Sequence, residues 1–295
     1  MSLNNLLMSW TLTLVRFVAG LRGFSRELAV AAIGYLAYSL AWRRRAIARR
    51  NLCLCFPDES AKGIRLLTLK HFLFYAKAFI DRTFFWSLEP EELRRQVHLH
   101  GQQHFLTALN RGPVILLAPH FLGLDIGLTR LQLETKLVSV YSGQGSPVLD
   151  AFVLNGRSRY NSPILIKRGK GAILRFVRHV QKGIPGYFLP DMDFGRRNSV
   201  FAKFMGQSAA TVTSLARIVQ STGASIVPVV TVWREGCYEV TFYPAWTHGP
   251  LEDLLPCVQT MNDFIAERIR ETPEQYLWTH RRFKTRPRGE SPVYQ

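Results

Sequence analysis

Two side chains able to move a proton, His120 and Asp125, lie five positions apart in the stretch 113–130, PVILLAPHFLGLDIGLTR. A carboxylate at that spacing could bind one imidazole nitrogen and leave the other free to take a proton from a hydroxyl. The spacing alone is weak evidence, because His248 and Asp253 repeat it in a turn. A histidine that only supports the fold fits the pattern equally well.

The sequence around His120 favours the catalytic interpretation. Residues 114–118 are all apolar and are bounded by glycine and proline, which is typical of a strand buried on both faces in a parallel sheet. His120 follows at the carboxyl end of this strand, where parallel sheets place their ligands. The next helix begins near Asp125. We therefore expect both side chains at the mouth of a cleft.

Three further apolar runs, 163–166, 187–190 and 226–230, resemble the strand before His120. The first ends in Lys167 and Arg168, and the second ends in a segment of acidic and then basic residues. Four such strands would bring their carboxyl ends to one edge of a single sheet. We predict an α/β fold with a mostly parallel sheet flanked by helices.

The segment after the run 187–190 carries four charged residues, Asp191, Asp193, Arg196 and Arg197. It could be a general-base pair, a metal site or an ion-pair network. Two carboxylates without a nearby histidine argue against a metal. We favour positioning, with Asp191 fixing the loop or a cation and Arg197 meeting an anionic group of a substrate, although a purely structural turn fits as well.

Two other local patterns concern anion binding. Arg157 and Arg159 lie at the predicted end of a helix, where cations ordinarily complement the helix dipole on a solvated face. Residues 208–221 predict a helix whose first amides could receive an anion. The chain has no phosphate loop and no complete dinucleotide fingerprint. We expect no metal and no cofactor.

The composition is strongly basic, with a net charge of +17 over 295 residues. This balance implies an anionic partner, which could be nucleic acid, a membrane surface or an acidic protein. The four cysteines show neither a C-x-x-C motif nor metal-ligand spacing. They are typical of reduced thiols in a cytosolic compartment.

The first 45 residues differ from the rest. Apolar residues with helical spacing fill the stretch 3–21, interrupted by Arg16, and a second run, 28–42, has fifteen uncharged residues, which is short for a membrane span. The cations that follow would hold the remainder on the cytoplasmic side. We predict membrane-associating helices over 1–45 and a second domain over 46–295. The alternative is that these helices simply pack on that domain.

The blocks quoted above, in their order along the chain, resemble those of the glycerolipid acyltransferase superfamily. Two longer stretches, PDMDFGRRNSVFAKFMGQSAAT (190–211) and PEQYLWTHRRFKTRPRGE (273–290), resemble the bacterial lipid A late acyltransferases, the lauroyl and myristoyl transferases. The resemblance runs from residue 49 to the C-terminus. Many members of that narrower family carry Glu where this chain has Asp125. Either carboxylate can orient an imidazole, so the departure leaves the acceptor lipid open.

The resemblance implies an O-acyltransferase that moves a fatty acyl chain from acyl carrier protein to a hydroxyl of a lipid A precursor of the Kdo-lipid IVA type, in lipopolysaccharide biosynthesis. It implies His120 as general base and Asp125 as its partner, with Arg159, Arg168, Asp191 and Arg197 binding substrate. Because the chain has no G-x-S-x-G elbow, direct attack is favoured over an acyl-enzyme.

The implied location is the bacterial inner membrane, with the catalytic domain on the cytoplasmic side. The implied partners are acyl carrier protein, the lipid A precursor and the anionic membrane, without nucleic acid. One alternative is an acyltransferase for a lysophospholipid or another glycolipid. A more distant alternative is a basic membrane or nucleic-acid binding protein without catalysis, which would interleave aromatic residues with its cations.

Overall fold

The computed structural model describes residues 3–246 and 254–294, so His248 and Asp253 lie outside the described residues. The long fourth helix is capped by Ser60, whose hydroxyl accepts a hydrogen bond from the Gly63 amide at 3.0 Å. The described residues form eleven α-helices: α1 Leu3–Gly20, α2 Gly23–Leu40, α3 Trp42–Cys55, α4 Ala61–Phe85, α5 Pro90–Gln96, α6 Gln102–Arg111, α7 Leu124–Leu131, α8 Pro147–Arg157, α9 Ala172–Gln181, α10 Ser214–Thr222 and α11 Leu254–Glu271.

The described strands form one seven-stranded sheet and one hairpin. The sheet has the order β1-β9-β8-β2-β5-β3-β4, and among the described strands only β8 and β9 pair antiparallel within it. The predicted mostly parallel sheet is confirmed. The strands are β1 Val97–His100, β2 Val114–Leu117, β3 Val138–Tyr141, β4 Ile164–Lys167, β5 Gly186–Phe188, β6 Ser199–Phe204, β7 Gln207–Val212, β8 Ser225–Arg234 and β9 Cys237–Phe242.

Strand β2 is central and buried on both faces. Ile115 and Leu117 point into one hydrophobic core, and Val114 and Leu116 point into the other. Successive side chains of a strand alternate between faces, so an unbroken apolar run is what a strand covered on both sides requires. The predicted strand before His120 is confirmed.

The four predicted strands are β2, β4, β5 and β8, and their carboxyl ends lie at one edge of the sheet because they run parallel in the shared sheet. Helix α7 begins just past β2 and approaches β8 closely. A Cβ at Gly127 would overlap the Thr231 hydroxyl, so glycine is needed where the helix meets the sheet. This approach places the first turn of α7 beside the strand ends.

The predicted helix over 208–221 is correct only in its second half. Residues 207–212 form β7, which pairs antiparallel with β6, and α10 begins at Ser214. Pairing supplies hydrogen-bond partners to Thr211 and Val212, whose β-branched side chains favour a strand. Tertiary pairing thus overrides the helical preference of Ala209 and Ala210.

The N-terminal helices α1 and α2 pack against α4 through one face, where Val15, Val18 and Val30 meet Ile80. Their opposite faces expose large apolar side chains. No helix among the described residues is long and apolar enough to cross a membrane. Packing on the domain is therefore observed for one face, and membrane association of the other stays a prediction.

Candidate active site

His120 lies directly beyond β2 and pairs with Asp191, which lies beyond the neighbouring strand β5. The imidazole Nδ1 is 2.7 Å from Asp191 Oδ1, and the backbone amide of His120 donates to Asp191 Oδ2 at 2.9 Å. Asp191 is fully buried, whereas the His120 side chain is 21% exposed. One carboxylate thus fixes both the ring and the backbone of His120.

The predicted contact between Asp125 and the imidazole is wrong. Asp125 Oδ2 accepts from Arg82 Nη1 at 2.9 Å, and Asp125 Oδ1 accepts from Arg157 Nε at 2.7 Å. Both arginines are mostly buried. Each oxygen of the carboxylate therefore has a charged donor. Any role of Asp125 in catalysis stays a prediction.

The protonation of the His120–Asp191 pair follows from its surroundings. Burial alone would raise the pKa of Asp191, but the charge of His120 and the hydrogen bonds from His120 and Tyr276 lower this pKa to about 2. The carboxylate is therefore ionised at neutral pH and accepts only. Nδ1 of His120 must donate to it, which leaves Nε2 as the nitrogen able to take a proton.

A C-terminal segment, 275–278, holds the pair in place. The Tyr276 hydroxyl donates to Asp191 Oδ2 at 2.9 Å. The amide of Leu277 donates to the His120 carbonyl at 3.0 Å, and the amide of Leu122 donates to the Gln275 carbonyl at 2.8 Å. Tyr276 belongs to the stretch 273–290 that carried the family resemblance, but nothing local in the sequence assigned it to His120.

The loop-fixing role predicted for Asp191 belongs to Asp193. Its carboxylate accepts from the Gly195 amide at 2.8 Å and from both the amide and the hydroxyl of Thr285 at 2.8 and 2.9 Å. Its own amide donates to His280 Nε2 at 3.1 Å. Burial and the nearby charge of His120 lower the pKa of His280 to about 4, so His280 is neutral and able to accept this bond.

A cavity of about 790 Å³ opens at this edge of the sheet, within the size range of ligand sites. His120, Asp125, Arg82 and Arg157 contribute to its wall, and apolar residues from several helices and strands complete it. The apolar members include Ala78, Phe79, Leu128, Val140, Leu165 and Ile173. The arrangement suits a ligand with a long apolar part and a reacting hydroxyl near His120.

Of the predicted substrate-binding cations, Arg168 and Arg197 line the cavity. The Arg168 guanidinium lies 3.8 Å from the centre of the Phe194 ring, which holds it at the rim. Arg159 is not part of the wall; its side chain is 47% exposed and lies 3.7 Å from Glu89. The cation of that segment that faces the cavity is Arg157, two positions earlier.

Arg82 is a functional candidate without a signal in the sequence, and Arg157 was expected only as one of two cations at a helix end. With Asp125 they form a mostly buried cluster that carries one excess positive charge. Burial lowers the pKa of Arg82, which Asp125 partly restores, and the neighbouring carboxylate outweighs burial to raise the pKa of Arg157. An excess cation in a cavity wall attracts anionic groups and developing negative charge.

Comparison with known proteins shows the family of the chain. The profile of the family described as bacterial lipid A biosynthesis acyltransferase matches residues 3–285. The chain is 32% identical over 263 residues to the lipid A biosynthesis lauroyltransferase of Escherichia coli strain K12, covering 87% of this chain and 84% of the relative.

Two further relatives from the same organism match at similar length. The lipid A biosynthesis palmitoleoyltransferase is 30% identical over 266 residues, covering 89% of this chain and 86% of the relative. The lipid A biosynthesis myristoyltransferase is 28% identical over 278 residues, covering 92% and 84%. This chain therefore belongs to the bacterial lipid A biosynthesis acyltransferase family and is an acyltransferase.

Proposed function

We propose that the protein transfers a fatty acyl chain from acyl carrier protein to a hydroxyl of a lipid A precursor of the Kdo-lipid IVA type. The observation that carries the mechanism is the His120–Asp191 pair, which presents a ready proton acceptor in a cavity with apolar walls. The family of the chain supports the lipid A precursor as acceptor. The basic surface supports an acidic carrier as donor.

The transfer proceeds by direct attack. The acceptor hydroxyl oxygen attacks the thioester carbonyl carbon while His120 Nε2 takes the hydroxyl proton, and Asp191 stabilises the imidazolium. The tetrahedral intermediate then collapses, the carbon–sulfur bond breaks, and the imidazolium returns its proton to the departing thiolate. An ester and a free thiol leave the cavity, and the enzyme regains its starting state.

The remaining cavity residues are of two kinds, charged side chains and apolar side chains. Arg168 and Arg197 at the rim would bind phosphates of the acceptor, since guanidinium groups match phosphate oxygens. The excess charge of the cluster formed by Arg82, Asp125 and Arg157 would stabilise the oxyanion of the intermediate. The apolar wall would take the acyl chain and limit water near the thioester.

Attachment to the cytoplasmic face of the inner membrane fits this chemistry, because the acceptor is a lipid. Support comes from the outer face of α1 and α2, where Trp10, Phe17 and Phe24 are among several exposed large apolar side chains. Such a face buries its apolar side chains in the interface between headgroups and acyl chains.

The test uses purified full-length protein in detergent with lauroyl-, myristoyl- and palmitoyl-carrier donors and a Kdo-bearing lipid A precursor. Product mass is read directly. We expect the mass of one acyl group to be added, and His120→Ala to abolish the addition. His248→Ala, which removes the histidine of the second H-x-x-x-x-D stretch, is the matched control and should retain the activity.

Two outcomes would contradict the proposal. If a lysophospholipid is acylated while the lipid A precursor is untouched, the acceptor is wrong and His120 keeps its role. If His120→Ala remains active while His248→Ala fails, the general base is wrong.

A further inference from the structure

A second open pocket lies between α3 and α4, away from the catalytic cavity. It has a volume of about 770 Å³ and is lined by four arginines together with Tyr38, Trp42 and Cys53. The arginines are Arg45, Arg49, Arg50 and Arg65. No acidic side chain lines this pocket among the described residues. Such a pocket attracts an anion.

The sequence of α3 places Arg45 and Arg49 on its outer side. Its buried positions include Ile47, Ala48 and Leu52, which pack into the core. The arginines at 45 and 49 are one helical turn apart and therefore share the outer face. α3 contains no acidic residue, so nothing within the helix compensates its cations.

None of the four arginines forms an ion pair with a residue that the structure describes. Arg45 donates to the Tyr38 carbonyl at 2.5 Å and lies over the Tyr38 ring, so its position is fixed by the fold. In contrast, Arg49, Arg50 and Arg65 are exposed. Since no described carboxylate offsets these charges, an anion bound between them would be stabilised.

Exposed large apolar side chains occur in the wall of this cationic pocket and on the helix that precedes it. Trp42, which is part of its wall, is 61% exposed, and Leu36 and Leu40 on the preceding helix are 57% and 69% exposed. Cations beside an exposed tryptophan and leucines are the side chains that anchor proteins at the boundary between lipid headgroups and acyl chains. An acidic protein would be matched by the charges but not by this apolar border.

We propose that the pocket binds the phosphate-bearing headgroup of an anionic membrane lipid. Arg49, Arg50 and Arg65 contact the phosphate, and Trp42 with Leu40 enters the outer part of the acyl layer. Helix α4 connects this pocket to the catalytic cavity, since Arg65 and Arg82 lie about 25 Å apart along its axis. A bound headgroup would therefore hold the cavity in one orientation to the membrane surface.

The proposal rests on the membrane attachment proposed above and is independent of the acyl-transfer chemistry. The test measures partition of the full-length protein onto vesicles of neutral phosphatidylcholine and onto vesicles with 30% phosphatidylglycerol. The variant is Arg49→Gln/Arg50→Gln/Arg65→Gln. The matched control, Arg111→Gln/Arg178→Gln/Lys182→Gln, removes the same charge from exposed cations elsewhere.

We expect the preference for anionic vesicles to fall at least about tenfold in the pocket variant and to stay within about twofold in the control. An equal fall in both variants would mean that net charge, not the pocket, binds the membrane and would overturn the proposal. If the wild type binds neutral and anionic vesicles equally, the headgroup site is wrong and apolar attachment survives. Binding to neither would contradict attachment itself.

Cys53 gives a local readout, because this free, exposed thiol lines the pocket. In a Cys237→Ser background, anionic vesicles should slow its alkylation by a neutral maleimide, and the Arg triple variant should lose this protection. Protection by inorganic phosphate alone, at the same phosphate concentration, would assign the pocket to a free anion and overturn the lipid assignment. Protection by acyl carrier protein without vesicles would overturn it in favour of an acidic protein.

Discussion

Asp125 and Asp191 are buried carboxylates that lie close to the same cavity, and their partners are opposite in kind. Asp125 lies between two guanidinium groups, Arg82 and Arg157, which hold their charge throughout the physiological pH range. Asp191 holds one imidazole and one phenol hydroxyl. The first carboxylate is neutralised by fixed charges, whereas the second is paired with a group that can gain and lose a proton.

The difference shows that proximity in sequence does not identify a catalytic pair. Asp125 is five residues from His120, yet the imidazole faces Asp191, 71 residues further along the chain. The two oxygens of Asp125 accept from Arg82 and Arg157, whereas the imidazole Nδ1 of His120 is paired with Asp191. The Asp125 cluster can supply positive charge to the cavity, and the Asp191 pair can supply proton transfer.

The largest effect is expected for Asp191→Asn. The amide keeps the shape but not the charge, so it cannot stabilise the imidazolium, and kcat should fall by about 10³-fold or more. Acyl transfer to the lipid A precursor, followed by product mass, measures it. Asp81→Asn is the matched control, since Asp81 is also buried but is bound by Arg26, Lys77 and Tyr238. A comparable fall in both variants would contradict the assignment.

Removal of the Asp125 carboxylate should mainly lower the stability of the fold. Asp125→Ala leaves two mostly buried guanidinium groups without their shared partner, and we expect the free energy of unfolding to fall by about 3–5 kcal/mol. Denaturant titration at neutral pH measures this quantity. A loss below about 1 kcal/mol would mean that Arg82 and Arg157 reach solvent when unpaired, and the cluster would then not be a structural unit.

The pH dependence of stability should distinguish the two regions, because the Asp191 side contains His280. Its pKa of about 4 in the fold lies below the ordinary value of 6.5. Below pH 6.5 the His280 imidazole binds a proton more readily in the unfolded chain than in the fold. The contribution of His280 to the free energy of unfolding is therefore complete above pH 6.5 and is lost as pH falls to about 4. The loss should reach about 3 kcal/mol.

His280→Gln should remove this part of the dependence, which denaturant titrations at pH 7.5 and 4.5 would measure. An identical fall in stability for the variant and the wild type would contradict the role of the neutral His280 as acceptor for the Asp193 amide.

Tyr276→Phe should give the smallest effect. It removes one of the donors to Asp191 while leaving the imidazole contact, and we expect kcat to fall about tenfold with little change in KM. Tyr238→Phe is the matched control, since its hydroxyl also donates to a buried carboxylate, Asp81 at 2.7 Å. If Tyr238→Phe lowers kcat as much, the effect reflects general loosening of the core and not orientation of Asp191.

The sequence was sufficient to predict which strands carry polar residues at their carboxyl ends. It was not sufficient to predict which of these strands are neighbours in the sheet. Apolar runs bounded by glycine and proline identified β2, β4, β5 and β8, because strands buried on both faces leave that pattern. The position of His120 beyond β2 follows directly. That β5 lies next to β2, and so brings Asp191 to His120, depends on strand order, which no local spacing encodes.

Other features were missed for equally physical reasons. Arg82 lies within the 25-residue helix α4, where a cation near the end ordinarily indicates a dipole partner. Arg157 and Arg159 are both cations at the end of α8, and only the rotation of the helix decides that Arg157 meets Asp125. Tyr276 reaches Asp191 through a bridge between Phe121 and Tyr276, residues 155 positions apart.

The measurement that tests the pairing of His120 with Asp191 most directly is the ¹⁵N chemical shift of the His120 ring nitrogens in histidine-labelled protein. Neutral His120 should carry its proton on Nδ1 in the wild type and in Asp125→Asn, and should lose this preference in Asp191→Asn. Loss of the preference in Asp125→Asn, with retention in Asp191→Asn, would show that Asp125 is the partner of the imidazole.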